Sequence, residues 1–456
     1  MAVWSTVSLS QMTHDLRWDA EHYRPEYLRQ AKAVAKFKTT ALWKVADVSD
    51  GNHLSIAEDF CDEGVRYLRG QDLSDFFVSD TDPIYIPEKN YAALARSHMF
   101  PGDVLVGIVG TIGTVGLVTE RHGKLTGNCK LAIVRAKSLP AEYIAVYLSS
   151  RLGQYELARR TRGAVQMGLI LPDLKELPLI EPGKALLNRV VFLVQNAQKK
   201  KKQATETIES AETRLMEALG LDQLDLMPQK CYVRRFRDLQ TEARFDAEYF
   251  NPKYQRIIKR LREGGRTLAD VAPLSERAFD SVPRATGSTF RYIEIGSLTG
   301  EGEAESETLD VADAPSRAAW IVKPGDVITS TVRPIRRLSA LVRDGQDGCV
   351  CSSGFAVLTP KAGADGIEPE VLLTYLRLPM IAELLDLHTT ASMYPAIPID
   401  RLLHIPIIVP DKSARKQIVA KVQEAMAARR ESARLLEQAK KTVEEMIAGE
   451  ASGKRK

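Results

Sequence analysis

An eleven-residue phrase is written twice in this chain of 456 residues, and that repetition constrains the fold more than any other feature. Residues 17–27 read RWDAEHYRPEY and residues 244–254 read RFDAEYFNPKY, with six positions identical and two more exchanging one aromatic for another. Pro101-Gly102-Asp103-Val104-Leu105 returns as Pro324-Gly325-Asp326-Val327-Ile328. Glu142-Tyr143-Ile144-Ala145-Val146-Tyr147-Leu148 returns as Glu370-Val371-Leu372-Leu373-Thr374-Tyr375-Leu376, and Leu177-Pro178-Leu179-Ile180-Glu181-Pro182 as Ile405-Pro406-Ile407-Ile408-Val409-Pro410. Four blocks in one order at nearly one offset describe a single duplicated domain, far longer than the roughly 20–45 residues of a solenoid repeat.

Each copy has the same grammar. An opening helix is expected where Asn251, a good N-cap, precedes Pro252 at the first helical position. Tyr254, Ile257, Ile258 and Leu261 then share one helical face. A strand-rich stretch follows: residues 104–106, 131–134, 327–329 and 355–358 read as buried strands, and 117–119 as another. A short helix near Ile144 or Leu372 and a proline-punctuated segment complete the globular part.

A long helix closes each copy. Leu187, Val190, Val194, Ala197, Lys201, Ala204, Ile208, Ala211, Leu215 and Ala218 alternate three and four apart, a heptad seam. The second copy answers with Arg415, Ile418, Val422, Ala425, Arg429, Ser432, Leu436, Ala439, Val443 and Met446. The matched register predicts that the two helices pair, and alanines at many seam positions permit close approach. Residues 185–219 would span roughly 50 Å at 1.5 Å per residue. The expected architecture is α+β: two repeated domains with mixed, β-rich cores and short helices, separated by an antiparallel two-helix coiled coil with an approximate twofold. The expected divisions are 1–183 and 223–411 for the globular domains, and 184–222 and 412–456 for the helices.

Bulk properties exclude little. The net charge of +4 permits nucleic-acid binding without arguing for it, because a basic face can hide in such an average. The first eleven residues show no basic region followed by an apolar core, and no run approaches the ~18 apolar residues of a membrane helix. A soluble, cytoplasmic protein is expected. The five cysteines, at 61, 129, 231, 349 and 351, have no zinc-like spacing and read as small buried hydrophobes in a reducing compartment.

In order, these motifs resemble the specificity subunits of type I restriction-modification systems, over about residues 15–449. The resemblance rests on R-[WF]-D-A-E-x-[YF], PGDVL, the Gly110-Thr111-Ile112-Gly113 run, Ser330-Thr331-Val332-Arg333-Pro334 and Ser352-Ser353-Gly354-Phe355. It also rests on Gly163 to Gln166 ahead of the proline-flanked segment. It implies two target-recognition domains, each reading one half of a split DNA site. It implies paired helices that set the spacer and dock two methyltransferase subunits, with restriction subunits completing a nuclease. No cofactor is expected on this chain: S-adenosylmethionine would sit on the methyltransferase, and ATP and magnesium on a restriction subunit. A specificity subunit of another phage-defence or orphan adenine-methyltransferase complex, without a nuclease, stays open. The second copy departs from the first, with Arg333-Pro334 against Gly110-Thr111 and Thr389 to Tyr394 against Gly163 and Gln166, so an asymmetric target is expected.

Catalytic and metal sites are not expected. Asn251-Pro252-Lys253-Tyr254 looks superficially like an adenine-methyltransferase loop, but its repeat partner is Arg24-Pro25-Glu26-Tyr27 and it opens a helix. The glycine-rich run 107–116 lacks the Gly-Lys-Ser/Thr of a phosphate loop and reads instead as a hairpin that could approach DNA closely, or as a plain tight turn. Pro172-Asp173 with Glu181 and Lys184 has the wrong spacing for a nuclease, the histidines are dispersed, and Asp103 and Asp326 follow Pro-Gly as turn caps.

DNA contact requires phosphate neutralisation and a few side chains at base edges. The candidates are Arg66, Arg69, Thr111, Lys124, Asn128, Arg162 and Gln166 in the first copy. In the second they are Arg291, Arg333, Arg336, Arg337, Ser352, Ser353 and Tyr394. Three arginines in residues 333–337 with no acid between them are the strongest local signal. Lys199 to Lys202 point around a helix axis, so solvated charge is the default reading and a phosphate contact from some of them the alternative.

Overall fold

A computed structural model describes residues 3–15, 17–73, 75–163, 165–279, 287–363, 366–391 and 393–451, with backbone alone at 13–15 and 447–451. The chain divides into two compact units, Met1–Lys202 with Ala428–Lys456, and Gln203–Ala427. Each therefore holds part of both long helices, Lys184–Leu219 and Lys412–Ala451.

In the first unit the four-stranded antiparallel sheet runs Ala46–Asp50, Leu131–Ala136, Asp103–Gly107, Val115–Leu117. Val104 stands opposite Val134 and Leu117, and Leu105 opposite Ile133 and Gly116. The strand expected at 117–119 thus belongs earlier, at Val115–Leu117. A three-stranded sheet pairs Val65–Leu68 antiparallel to Ile84–Ile86 and parallel to Leu125–Gly127. The helix Ala141–Ser149, apolar on nearly every side, is buried against the larger sheet.

The second unit repeats the plan. Val327–Ser330 lies between Ser339–Leu341 and Phe355–Leu358, all antiparallel. A four-stranded sheet runs Glu307–Asp310, Thr289–Ile293, Val350–Ser352, Ala318–Ile321, with its central pair parallel. The helices Pro369–Arg377 and Pro379–Asp386 pack beneath, and Asn251 caps Pro252–Arg262 by accepting from the Lys253 amide.

The duplication keeps its register at the closure of each unit. Ala41 pairs with Pro178 and Thr40 with Leu179, and in the second copy Thr267 pairs with Pro406 and Arg266 with Ile407, the counterparts of Pro178 and Leu179. The buried Tyr147 hydroxyl donates to the Pro178 carbonyl at 3.0 Å and the Tyr375 hydroxyl to that of Pro406 at 2.6 Å. Each buried phenol has the partner that its desolvation demands.

The helix seam is built as the heptads predict. In the first unit Val190, Val194, Ala197, Leu436, Ala439 and Val443 are buried in one core, with Leu187 and Met446 packed at its margin. In the second, Ala211, Leu215, Ile418 and Val422 are buried together with Ile208 beside them. There Gln203 meets Glu424, Ser210 meets Lys421 and Arg214 meets Gln417, so the helices run antiparallel. The last seam position slips: Ala218 is only half-buried and Leu219 takes the core place. Arg415 leaves the seam to pair with Glu368 at 3.1 Å. Lys201 pairs with Asp75 across the Phe77 ring, so that lysine is committed within its unit.

The cysteine expectation needs one correction. Cys349 and Cys351 are buried, Cys61 and Cys129 are half-buried, but Cys231 is exposed. It lies between the long helix and the second repeat, where no sheet covers it. No helix among the described residues is long and apolar enough to cross a membrane.

Candidate nucleic-acid interface

The repeated R-[WF]-D phrase is a clamp. Arg17 is buried and grips Asp19 through two 2.7 Å hydrogen bonds, Nε to Oδ1 and Nη2 to Oδ2. Its remaining donors reach the carbonyl oxygens of Arg160 and Thr161, at 3.2 and 2.9 Å, just past the helix Arg151–Arg159. Arg244 repeats this with Asp246 at 2.8 and 2.7 Å and with the Leu387 carbonyl at 2.6 Å, past Pro379–Asp386. A helix C-terminus carries orphan carbonyls and a partial negative charge, and a guanidinium satisfies both. The Arg17 hydrogen bond holds the Asp19 carboxyl below its ordinary range. Burial works against Asp246, yet the Arg244 hydrogen bonds and charge still keep its carboxyl low. In the second copy the final donor meets His388 Nδ1 at 3.2 Å; burial, then the Arg244 and Arg401 charges, push that imidazole down to about 4.

The clamp fixes the start of a loop, and that loop is stitched to a hairpin. In the first unit the Leu169 amide donates to Ile108 O at 2.8 Å, and Arg162 and Gly168 exchange two 2.8 Å backbone bonds. Val109 bridges Gly168. In the second unit Ile397 N donates to Thr331 O at 2.9 Å, Thr390 and Ala396 exchange bonds of 2.9 and 3.1 Å, and Val332 bridges Ala396. From below, Gln154 Nε2 donates to Gly113 O at 2.8 Å in one unit and Arg377 Nη1 to Arg337 O at 3.0 Å in the other. One backbone frame is therefore built twice, with different side chains on it. The two tips expose Val165, Gln166 and Met167 in the first unit, and Ile335, Met393 and Tyr394 in the second.

The frame contains left-handed positions. Gly110 and Gly113 have φ of 81° and 84°. The second unit keeps the conformation without glycine: Arg333 has φ 50° and Arg337 φ 56°. A non-glycine residue there costs roughly 1–2 kcal/mol. The Arg333 guanidinium donates to the Met393 carbonyl at 3.3 Å and lies 6.0 Å from the centroid of the Tyr394 ring, which is 71% exposed.

Of the first-copy candidates, Thr111, Arg162 and Gln166 meet on this frame. Arg162 is paired at 2.7 Å with Asp173, which raises its pKa, and the Thr111 hydroxyl is buried with no hydrogen-bond partner among the described residues. Arg66 and Arg69 lie elsewhere and turn inward. Arg66 is buried and meets Asp72 at 3.1 Å, and Arg69 meets the same carboxylate and the Asp82 carbonyl, at 3.2 and 2.6 Å. Lys124 is exposed and pairs with Glu88 at 2.5 Å; Asn128 Oδ1 accepts from the Lys130 amide at 3.2 Å.

In the second copy Arg333, Arg336, Arg337 and Tyr394 share the frame, and Arg337 donates to the Arg377 carbonyl at 3.4 Å. Arg291 is spent on the carbonyls of Gly345 and Asp347. Ser352 is buried and accepts from the Gly354 amide at 3.3 Å, whereas Ser353 is exposed. Ser392, within the Thr389–Tyr394 departure, lies outside the described residues, as does Ala164 between Gly163 and Gln166.

Sequence reading missed the apolar Val165, Met167, Ile335 and Met393 of the loop tips and the central aromatic of the clamp, Trp18 at 68% and Phe245 at 72% exposed. The repeat carried the signal for the latter: an aromatic at one position in both copies, between the arginine and the aspartate of the clamp. Asp103 and Asp326 are turn caps as expected, accepting from Phe100 and Lys323 amides at 2.8 Å each. Among the described residues no three His, Cys, Asp or Glu side chains are grouped to hold a metal ion.

No protein-family profile matches the chain. Among curated proteins it is similar to the type I restriction enzyme HindI specificity subunit of Haemophilus influenzae, 26% identical over 162 residues. That match covers 34% of this chain, and the chain spans only 33% of the relative's length. Among solved structures it is similar to the type I restriction-modification S subunit of M. genitalium, at 14% identity and TM-score 0.39, over 89% of this chain and 95% of that one. It is also similar to the HsdS subunit of Thermoanaerobacter tengcongensis, at 15% identity and TM-score 0.29, over 91% and 97%.

Proposed function

We propose that this chain is the DNA-sequence-recognition subunit of a type I restriction-modification complex, non-catalytic itself and working in the cytoplasm. Each unit reads one half of a split, asymmetric site, and residues 1–183 and 223–411 are the two readers. The observation that carries this is the twice-built frame, in which a hairpin and a clamped loop hold different side chains outward on one backbone geometry. Sequence is read by side chains at base edges, and a rigid support positions them. Of the candidates, Arg162 and Gln166 in one unit and Arg333, Arg336, Arg337 and Tyr394 in the other are best placed for contact. The long helices set the spacer and dock two methyltransferase subunits, which carry S-adenosylmethionine, with restriction subunits joining that core.

The test is methylation mapping of a genome carrying this chain with its methyltransferase. A bipartite motif with unlike halves is expected, and a one-heptad insertion in both long helices should lengthen its spacer, each ~3.4 Å adding about one base pair. Methyl transfer by the purified chain alone, or a motif unaltered by the insertion, would overturn the proposal.

A further inference from the structure

We infer that Arg333 is the base-discriminating residue of the second unit, reading a guanine, at a position where the first unit has glycine. This rests on the DNA-recognition reading above. The positions correspond through the frame: Val109 bridges Gly168 and Val332 bridges Ala396, so Gly110 and Arg333 are each the next residue after the bridge. Both are left-handed, Gly110 at φ 81° and Arg333 at φ 50°.

Glycine accepts that conformation freely, and arginine does not. Strain retained in an over-determined loop points to function. Here the over-determination is visible. The Arg333 amide donates to Pro395 O at 2.8 Å, its guanidinium to Met393 O at 3.3 Å, and the centroid of the Tyr394 ring lies 6.0 Å from that guanidinium. A phosphate contact needs none of this, since a long flexible cation anywhere on the surface suffices. A held guanidinium plane suits a two-pronged partner instead. In the major groove, the O6 and N7 acceptors of guanine fit that fork. The first unit, with Gly110 at the same place, offers no side chain there and lets the backbone come close. Among the exposed residues of the first unit's loop tip is Gln166, whose amide matches adenine. The two half-sites are therefore read by unlike chemistry from one scaffold.

The experiment compares wild type, Arg333→Gly and Arg333→Lys, each assembled with the methyltransferase partner, on a pool of duplexes randomised across the site. Wild type should show a bipartite preference with a fixed guanine in one half. Arg333→Gly suits the backbone, so its thermal midpoint should stay close to wild type. Its preference for that guanine should fall by about 5- to 150-fold while the other half-site is unchanged. Arg333→Lys keeps the charge and loses the fork, and should lose the same discrimination while keeping the salt dependence of binding. Unchanged guanine preference in both variants, or equal loss in both half-sites, would overturn the assignment while leaving the recognition role standing. Absence of any bipartite preference in wild type would overturn both.

Discussion

Ser432 donates a 2.8 Å hydrogen bond from its buried hydroxyl to the carbonyl oxygen of Ala197, crossing from one long helix to the other. The hydroxyl is buried, hence desolvated, and has one good acceptor. Ser432→Ala should cost about 0.5–1.5 kcal/mol, since the carbonyl keeps its own helix ladder. Ser432→Leu should cost more, about 1–3 kcal/mol, because the approach to Ala197 leaves no room for a larger side chain. Denaturant unfolding of the two variants checks the order; a leucine variant as stable as the alanine one would contradict it.

The clamp makes a sharper contrast between adjacent residues. Arg17→Ala removes two charge-assisted bonds to Asp19 and two to helix-end carbonyls, and should destabilise the first unit by about 2–3 kcal/mol. Trp18→Ala, one residue on, should stay within about 0.5 kcal/mol because its ring is in solvent. Thermal unfolding of both variants tests this, and equal losses would refute the clamp.

His388 gives the second unit a pH dependence. Its folded pKa is pushed down to about 4, below an ordinary histidine near 6.5, so the unfolded chain binds more protons between these values. Stability contributed by the neutral ring is present above about 6.5 and is lost as pH falls toward 4. Unfolding midpoints measured across that window should decline, and His388→Gln should flatten the slope. An imidazole resonance titrating near 6.5 in the folded protein would negate this.

The cysteines should separate by reactivity. Cys231 is exposed, whereas burial pushes the Cys351 thiol up to about 12 and raises Cys349 as well. Thiolate is the nucleophile, so alkylation followed by mass spectrometry should label Cys231 first and the buried pair only after denaturation. Early labelling of Cys351 would show its strand opening.

The repeat made much of this architecture readable in advance. Val190, Val194, Ile418 and Val422, picked out by heptad spacing, are fully buried, because helix periodicity is local. Proline and asparagine marked the start of Pro252–Arg262 for the same reason. Arg66 shows where reading stopped: an arginine looks like a surface cation in one dimension, and only the fold brings Asp72 and two carbonyls around it. The clamp was equally hidden, because the carbonyls that Arg17 and Arg244 hold are far away along the chain, beyond the reach of any local pattern. The left-handed arginines were visible as residues and invisible as conformations.

The stitched hairpin and loop are held almost wholly by main-chain amides and carbonyls, from Leu169 to Ile108 and from Ile397 to Thr331. Main-chain bonds are indifferent to the side chains that ride on them. Letters at the tips can therefore be rewritten, or whole tips exchanged between the two copies, without refolding what lies beneath. On the recognition reading proposed above, a chain built this way would acquire a new target by small edits.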